Sequence, residues 1–331
     1  MENKRKQIAL LGGGYSGEET ISLKSLETVY QNLNKSVYDV HKLIINQKGW
    51  FYITNDEAQV AIDKNDFSVT LDGHKITFDL VFILIHGSPG EDGKLQGYFE
   101  MLDIPFTTGD SISSALTFNK YYCNQVVKNS GIVAIANSVY LNQEKPYSLG
   151  MIMSDLQLPV FVKPNESGSS LGISKVQKPG ELLTAVDLAF KEDTFIIIEE
   201  FIEGRELTIG VYEKNGEVLT LPPTEILTKN EFFDFEAKYT PGLTDEITPA
   251  DISQELNIEL AEKAKDIYGL LNCKGLVRMD FIYHKEKSVL YFLEVNTVPG
   301  QTATSLVPQQ VEVAGISLSD FYKGLVEEAL K

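Results

Sequence analysis

The chain has 331 residues, 43% hydrophobic and 23% charged, enough to bury a large core spread over two or three domains. Its 29 Lys+Arg against 47 Asp+Glu leave a net charge of −18, which argues against a general nucleic-acid surface or an anionic-membrane surface. Two cysteines without CxxC or His-rich context, and no run approaching ~18 apolar residues, read as a soluble, reduced, cytoplasmic protein.

In chain order, IALLGGG (8–14) predicts a short buried strand that runs into a loop. GEETISLKSLETVYQNL (17–33) has helical spacing in Ile21, Leu23, Leu26, Val29 and Leu33. YDVHKLIIN (38–46) and DLVFILIHG (79–87) are further strands, the second a continuous apolar run suited to a parallel sheet covered on both faces. Strands alternating with helices make the first part an open α/β domain. Gly12-x-Gly14-x-x-Gly17, between strand and helix, matches the dinucleotide-binding fingerprint. Yet Glu18 and Glu19 follow in the first helical turn, where a pyrophosphate needs bare N–H groups, and two carboxylates there repel phosphate. Glu19 suits the helix dipole. Glu18 either does the same or meets a ligand's ammonium group, as in an amino acid.

The middle of the chain predicts a helix over 117–131 with a glycine stop. A strand at 158–164, a helix at 180–193 and a strand at 194–204 follow. Lys163 ends the first of these strands. The loop 165–172, NESGSSLG, offers backbone N–H groups and serine hydroxyls to an anion without the Gly-Lys-Ser/Thr ending of a P-loop. An acidic chain that binds an anion must gather its few cations locally, and Lys120, Lys163 and Arg278 are the candidates. The strand at 195–198 leads into EEFIEGRE, whose backbone edge suits adenine and whose Glu206 suits ribose hydroxyls.

The last part is richer in hairpins. ELTIGVYEKNGEVLTLP (206–222) turns at Asn215-Gly216, the strongest short-range hairpin signal. Two long helices, 253–271 and 317–331, are expected to cover the sheet. The segment 228–251 has no clean period, which in so long a loop points to function or disorder. In LVRMDFIY, period-two alternation puts Arg278 and Asp280 on one face, with Val277, Met279 and Phe281 opposite. In LYFLEVN, Glu294 and Asn296 likewise share a face. On one strand that pattern is the solvated side of an antiparallel sheet. On two adjoining strands, two carboxylates and an amide form a hard oxygen site suited to Mg²⁺ that carries phosphates.

VKPNESGSSLG, IEEFIEGRE, EAKY and GLVRMDFIY…FLEVNTVPG together resemble the ATP-grasp superfamily. With LLGG…SGEETISL and IHGSPGEDGKLQG, the chain is similar to the D-alanine–D-alanine ligases in particular, from about residue 8 to the last helix. The resemblance implies an α/β and α+β, three-domain ATP-grasp architecture. It would comprise an N-terminal open α/β domain (1–108), a central domain with a phosphate lid loop (109–202) and a C-terminal domain with the metal site (203–331). It implies ATP-dependent joining of two D-alanines through an acyl phosphate, for peptidoglycan precursors, in a cytoplasmic homodimer. By the same resemblance Lys120 and Lys163 meet ATP's phosphates, Glu200 and Ile202 meet adenine through their backbone, Glu206 holds ribose, and Ser169, Ser170, Glu199 and Lys238 also bind ATP. Asp280, Glu294 and Asn296 would hold two Mg²⁺, for which Mn²⁺ substitutes. Glu18 and His86 would serve the first substrate, and Ser305 and Leu306 the second substrate's carboxylate. Arg278 and the Gly300 N–H would hold the oxyanion, and Glu18, Ser169 and Tyr239 form a hydrogen-bonded triad. A D-alanine–D-lactate ligase or another ATP-grasp carboxylate–amine ligase is the alternative. An NAD-dependent dehydrogenase would leave the Asp280/Glu294/Asn296 face unexplained.

Overall fold

Three sheets carry the fold. The computed structural model describes residues 5–166, 172–228 and 244–331. In the first part the apolar run after the basic start forms β1 (Lys6–Gly13), followed by α1 (Glu19–Asn32) and β2 (Tyr38–Asn46). Next come β3 (Gly49–Ile53), β4 (Gln59–Ala61), a small hairpin of β5 (Val69–Leu71) and β6 (His74–Ile76), β7 (Leu80–Ile83) and α2 (Lys94–Met101). The sheet order is β4-β3-β2-β1-β7, parallel across β2-β1-β7. β3 and β4 add antiparallel strands at one edge, beyond the parallel core that the sequence predicts. Alternation along β1 sends Ile8 and Leu10 to the face covered by α1, and Ala9 and Leu11 to the other. At the end of β1, Gly13 has φ +101 and a Cβ there would lie 2.2 Å from the Ile45 carbonyl oxygen, so only glycine fits.

The helices α3 (Ser111–Phe118) and α4 (Lys120–Ser130) lead into a four-stranded antiparallel sheet. It consists of β8 (Ser138–Asn142), β9 (Val160–Pro164), β10 (Ser174–Val176) and β11 (Phe195–Glu200), in the order β10-β9-β11-β8. α5 (Leu149–Asp155) and α6 (Leu182–Ala189) pack on the face carrying Val160, Val162, Ile196 and Ile198. Alternation therefore assigns Lys163 and Glu199 to the opposite face.

The third sheet contains β12 (Arg205–Lys214), β13 (Glu217–Thr220), β14 (Thr224–Thr228), β15 (Thr244–Ile247), β16 (Leu276–His284) and β17 (Val289–Asn296). Its order is β15-β14-β12-β16-β17, with β13 folded back on β12. The β12–β13 turn has φ 56 at Asn215 and 76 at Gly216, the positive-φ pair that Asn-Gly favours. α7 (Gln254–Leu270) covers the face bearing Leu207, Ile209, Val277, Met279 and Phe281, as its periodicity predicts. The last helices differ from the expectation. α8 (Leu306–Val313) and α9 (Leu318–Ala329) share a core with β1, β7 and α1, through Val307, Val311, Phe321, Tyr322, Leu325 and Val326. α9 thus covers the third sheet and the first together, because its apolar stripe has a partner on each. Among the described residues no helix is long and apolar enough to cross a membrane.

Candidate active site

The alternation read from β16 and β17 is realised in the register. Asn296 pairs with Arg278 and Glu294 with Asp280, and the ladder slips between Asp280 and Phe281. The apolar set on the other face is buried in the core. Asp280 is the centre of the cluster. Its Oδ1 accepts from Arg278 Nε at 3.0 Å and from the Thr208 hydroxyl on neighbouring β12. Its Oδ2 accepts from Arg278 Nη2 at 2.8 Å and Asn296 Nδ2 at 3.1 Å. Burial disfavours the Arg278 charge, but Asp280, Glu294 and Glu91 outweigh it and raise the guanidinium above its ordinary value. Thr208 was not singled out in the sequence, because only strand pairing brings it to Asp280.

The other two cations also meet site carboxylates. Asn119 caps α4 by accepting from the Tyr122 N–H, which places Lys120 in the first helical residue. Lys120 Nζ lies 3.4 Å from Glu294 Oε2. Lys163, across the register from Ile197, makes an ion pair with Glu199. The other Glu199 oxygen accepts from Asn124 Nδ2 at 3.2 Å. Glu200 ends β11 and accepts from the Asn137 backbone and side chain at 3.3 and 3.1 Å. Ile202 follows in the half-buried connection to β12, where Glu206 pairs with Ile226 and Ile282.

On the N-terminal side Glu18 stands at the N-cap of α1, with its N–H donating to Ser16 Oγ at 3.3 Å. Ser16 Oγ donates to the His86 carbonyl at 3.1 Å, which joins the glycine loop to the end of the parallel sheet. His86 is buried, and both ring nitrogens are engaged within the protein. Nδ1 donates to the Val298 carbonyl at 2.7 Å, and Nε2 lies 3.5 Å from Ser25 Oγ. Burial lowers its pKa and keeps the ring neutral. Ser305 is the N-cap of α8 and Leu306 its first residue, but the hydroxyl does not cap. It instead accepts from the Thr302 N–H at 3.0 Å, beside Gly300, where a Cβ would lie 2.8 Å from Ser305 Oγ. Ser169, Ser170, Lys238 and Tyr239 lie outside the described residues.

The donor chemistry suits a hard divalent cation. Asp280 and Glu294 supply carboxylate oxygens, and Asn296 uses its amide nitrogen on Asp280, leaving the amide oxygen for a cation. Among the described residues no three His, Cys, Asp or Glu side chains group as a metal site. Three cations, Lys120 on α4, Lys163 on β9 and Arg278 on β16, each meet a carboxylate of Glu294, Glu199 or Asp280.

Two family models match this chain: "D-ala D-ala ligase N-terminus" over residues 7–109 and "D-ala D-ala ligase C-terminus" over residues 127–327. It is 48% identical to a D-alanine–D-alanine ligase of Flavobacterium johnsoniae, over 98% of this chain and 99% of that one. It is 43% identical to one of Parabacteroides distasonis, over 99% and 98%. Among solved structures it resembles a D-Ala:D-Ser ligase from Enterococcus faecalis, with TM-score 0.89, 32% identity and coverage of 98% and 100%. It also resembles D-alanyl-alanine synthetase A from Vibrio cholerae, with TM-score 0.86, 27% identity and 99% of each chain.

Proposed function

This chain belongs to the D-alanine–D-alanine ligase family, and from that premise we propose which residues carry the ATP-dependent joining of two D-alanines. The product is D-alanyl-D-alanine for peptidoglycan, with ADP and phosphate released. The supporting observation is the cluster in which Arg278, Thr208 and Asn296 fix Asp280 while Lys120 faces Glu294.

ATP would lie between the second and third sheets, with Lys120 and Lys163 on its phosphates. Glu199, Glu200 and Ile202 would form the adenine edge, with Glu206 on the ribose. Ser169, Ser170 and Lys238 complete the phosphate set. Asp280, Glu294 and Asn296 would hold two Mg²⁺, or Mn²⁺ in their place. Bound there, the metal would offset charge between two anions that must meet. Glu18, at the N-cap of α1, takes the ammonium of the first D-alanine, and His86 holds the adjoining loop. A carboxylate oxygen of that D-alanine attacks the γ-phosphorus, the bond to ADP breaks, and an acyl phosphate forms. Ser305 and Leu306 receive the carboxylate of the second D-alanine at the start of α8. Its amine, once deprotonated, attacks the acyl carbon. Negative charge then develops on the carbonyl oxygen, where the Arg278 guanidinium and Gly300 N–H stabilise it until phosphate leaves. Tyr239, Ser169 and Glu18 tie the loops over the substrates.

The division at 108/109 and 202/203 belongs to this reading and is supported by the grouping of strands into three sheets. So do a cytoplasmic setting and a homodimer. Phosphate release with ATP plus D-alanine, L-alanine, D-serine or D-lactate tests the function. D-alanine is expected to give stoichiometric phosphate and dipeptide. Phosphate release without dipeptide, or equal rates with L-alanine, would defeat the proposal.

A further inference from the structure

Residues 87–91 form a tight loop after β7, closed by the Gly90 and Glu91 N–H groups donating to the Gly87 carbonyl at 2.8 and 2.9 Å. The Glu91 side chain then folds inward. Its Oε2 accepts from the Gly87 N–H at 2.8 Å, and its Oε1 accepts from the Val298 N–H at 3.1 Å. Val298 belongs to the turn after β17, yet its side chain is buried in the N-terminal core with Leu11, Val81 and Ile85. Both its polar backbone groups are held by one loop: Glu91 at the N–H, and His86 at the carbonyl at 2.7 Å. Three residues on, the Gln301 N–H donates to Ser25 Oγ at 3.0 Å. Asn296 and Gly300 flank Val298, two positions on either side.

We propose that Glu91 is a positioning residue for the ligation: by bridging the Gly87 and Val298 N–H groups, it fixes the 296–300 turn against the substrate loops. This deepens the ligase reading given above and rests on it. Only a carboxylate has the chemistry for the bridge. Two buried N–H donors need two acceptors, and a glutamine offers one acceptor and one donor, so one N–H would face an amide N–H. Among the described residues no other group accepts from the Val298 N–H. A shift of that peptide moves both the Asn296 amide and the Gly300 N–H. The charged groups acting on Glu91 are Glu18 from α1, Lys120 from α4 and Arg278 from β16, while the nearby His86 ring is neutral. Burial foremost, with the Glu18 charge, pushes the carboxyl up to about 7 against the two N–H bonds and Lys120. Its acceptor capacity therefore changes within the working pH range.

The test compares Glu91→Gln and Glu91→Asp with the parent in steady-state kinetics and thermal unfolding. The aspartate keeps the charge but is one methylene too short to span both donors. Misplacing the turn is expected to lower kcat roughly 10- to 100-fold in both variants. KM for ATP is expected to stay within about twofold, the pattern of a lost interaction that matters only at the chemical step. The idea falls if either folded variant keeps kcat within about twofold of the parent, or if KM for ATP worsens in step with kcat. Failure of both variants to fold would make Glu91 a folding residue and overturn the proposal too. A parent chain without D-alanine-dependent phosphate release would instead sink the ligase reading.

Discussion

Lys163→Met tests whether the phosphate lysine is held in reserve by a resident counter-ion. Lys163 and Glu199 form an ion pair with side chains only 12% and 8% exposed, and Glu199 also accepts from Asn124 at 3.2 Å. Two charges 4 Å apart attract by about 4 kcal/mol at an effective dielectric of ~20. Removing one partner leaves the other buried and unpaired, at a cost of about 3–5 kcal/mol. Lys163→Met and Glu199→Gln should each destabilise the fold by that order, whereas the double variant leaves no stranded charge. It should recover most of the loss, with a coupling energy of about 3 kcal/mol. ATP binding should behave differently. The double variant lacks the phosphate contact and should still bind ATP at least about tenfold more weakly, a difference of about 1.4 kcal/mol. Urea unfolding followed by far-UV circular dichroism gives the first quantity, and titration calorimetry with ATP and Mg²⁺ gives the second. Additive single-variant losses, or ATP affinity restored in the double variant, would refute the reasoning.

Glu294→Gln should nearly abolish turnover with the fold intact, since it removes the charge facing Lys120 and the proposed metals; activity within a few-fold of the parent at millimolar Mg²⁺ would remove Glu294 from the metal set. The Glu91 carboxyl has its folded pKa raised to about 7 from an ordinary 4.5, so the folded state binds its proton more tightly. Its contribution to stability is therefore lost as pH rises from about 4.5 to 7, and Glu91→Gln should gain stability relative to the parent across that window in urea titrations. A parent-minus-variant difference that stays flat with pH would contradict this. Tyr239→Phe should keep dipeptide synthesis and gain some D-alanyl-D-lactate at low pH, where the amine of D-alanine stays protonated. The loss of one hydrogen bond, about 0.5–1.5 kcal/mol, tunes a preference without destroying an enzyme. Mass spectrometry of products across pH decides it, and a folded, active variant that makes no ester would release Tyr239 from nucleophile choice.

The amino-acid pattern determined a good deal of this protein without help. The continuous apolar run at 79–87, the helical stripe of α1, the Asn215-Gly216 turn and the alternation of β16 and β17 all specify elements through contacts between near neighbours. Because side chains alternate along a strand, Arg278 and Asp280 had to share a face, and so did Glu294 and Asn296. What the pattern left open was which distant groups those faces meet. Whether Glu18 merely complements a helix dipole is not written in its neighbours. That His86 spends both ring nitrogens on Val298 and Ser25 depends on residues 212 and 61 positions away. The same holds for Glu91 on Val298, for Thr208 on Asp280, and for the last helix lying across two sheets. Periodicity is a property of local backbone geometry and survives any arrangement of the domains. Hydrogen bonds and ion pairs between remote segments exist only once three sheets have packed, and it was packing that chose their partners.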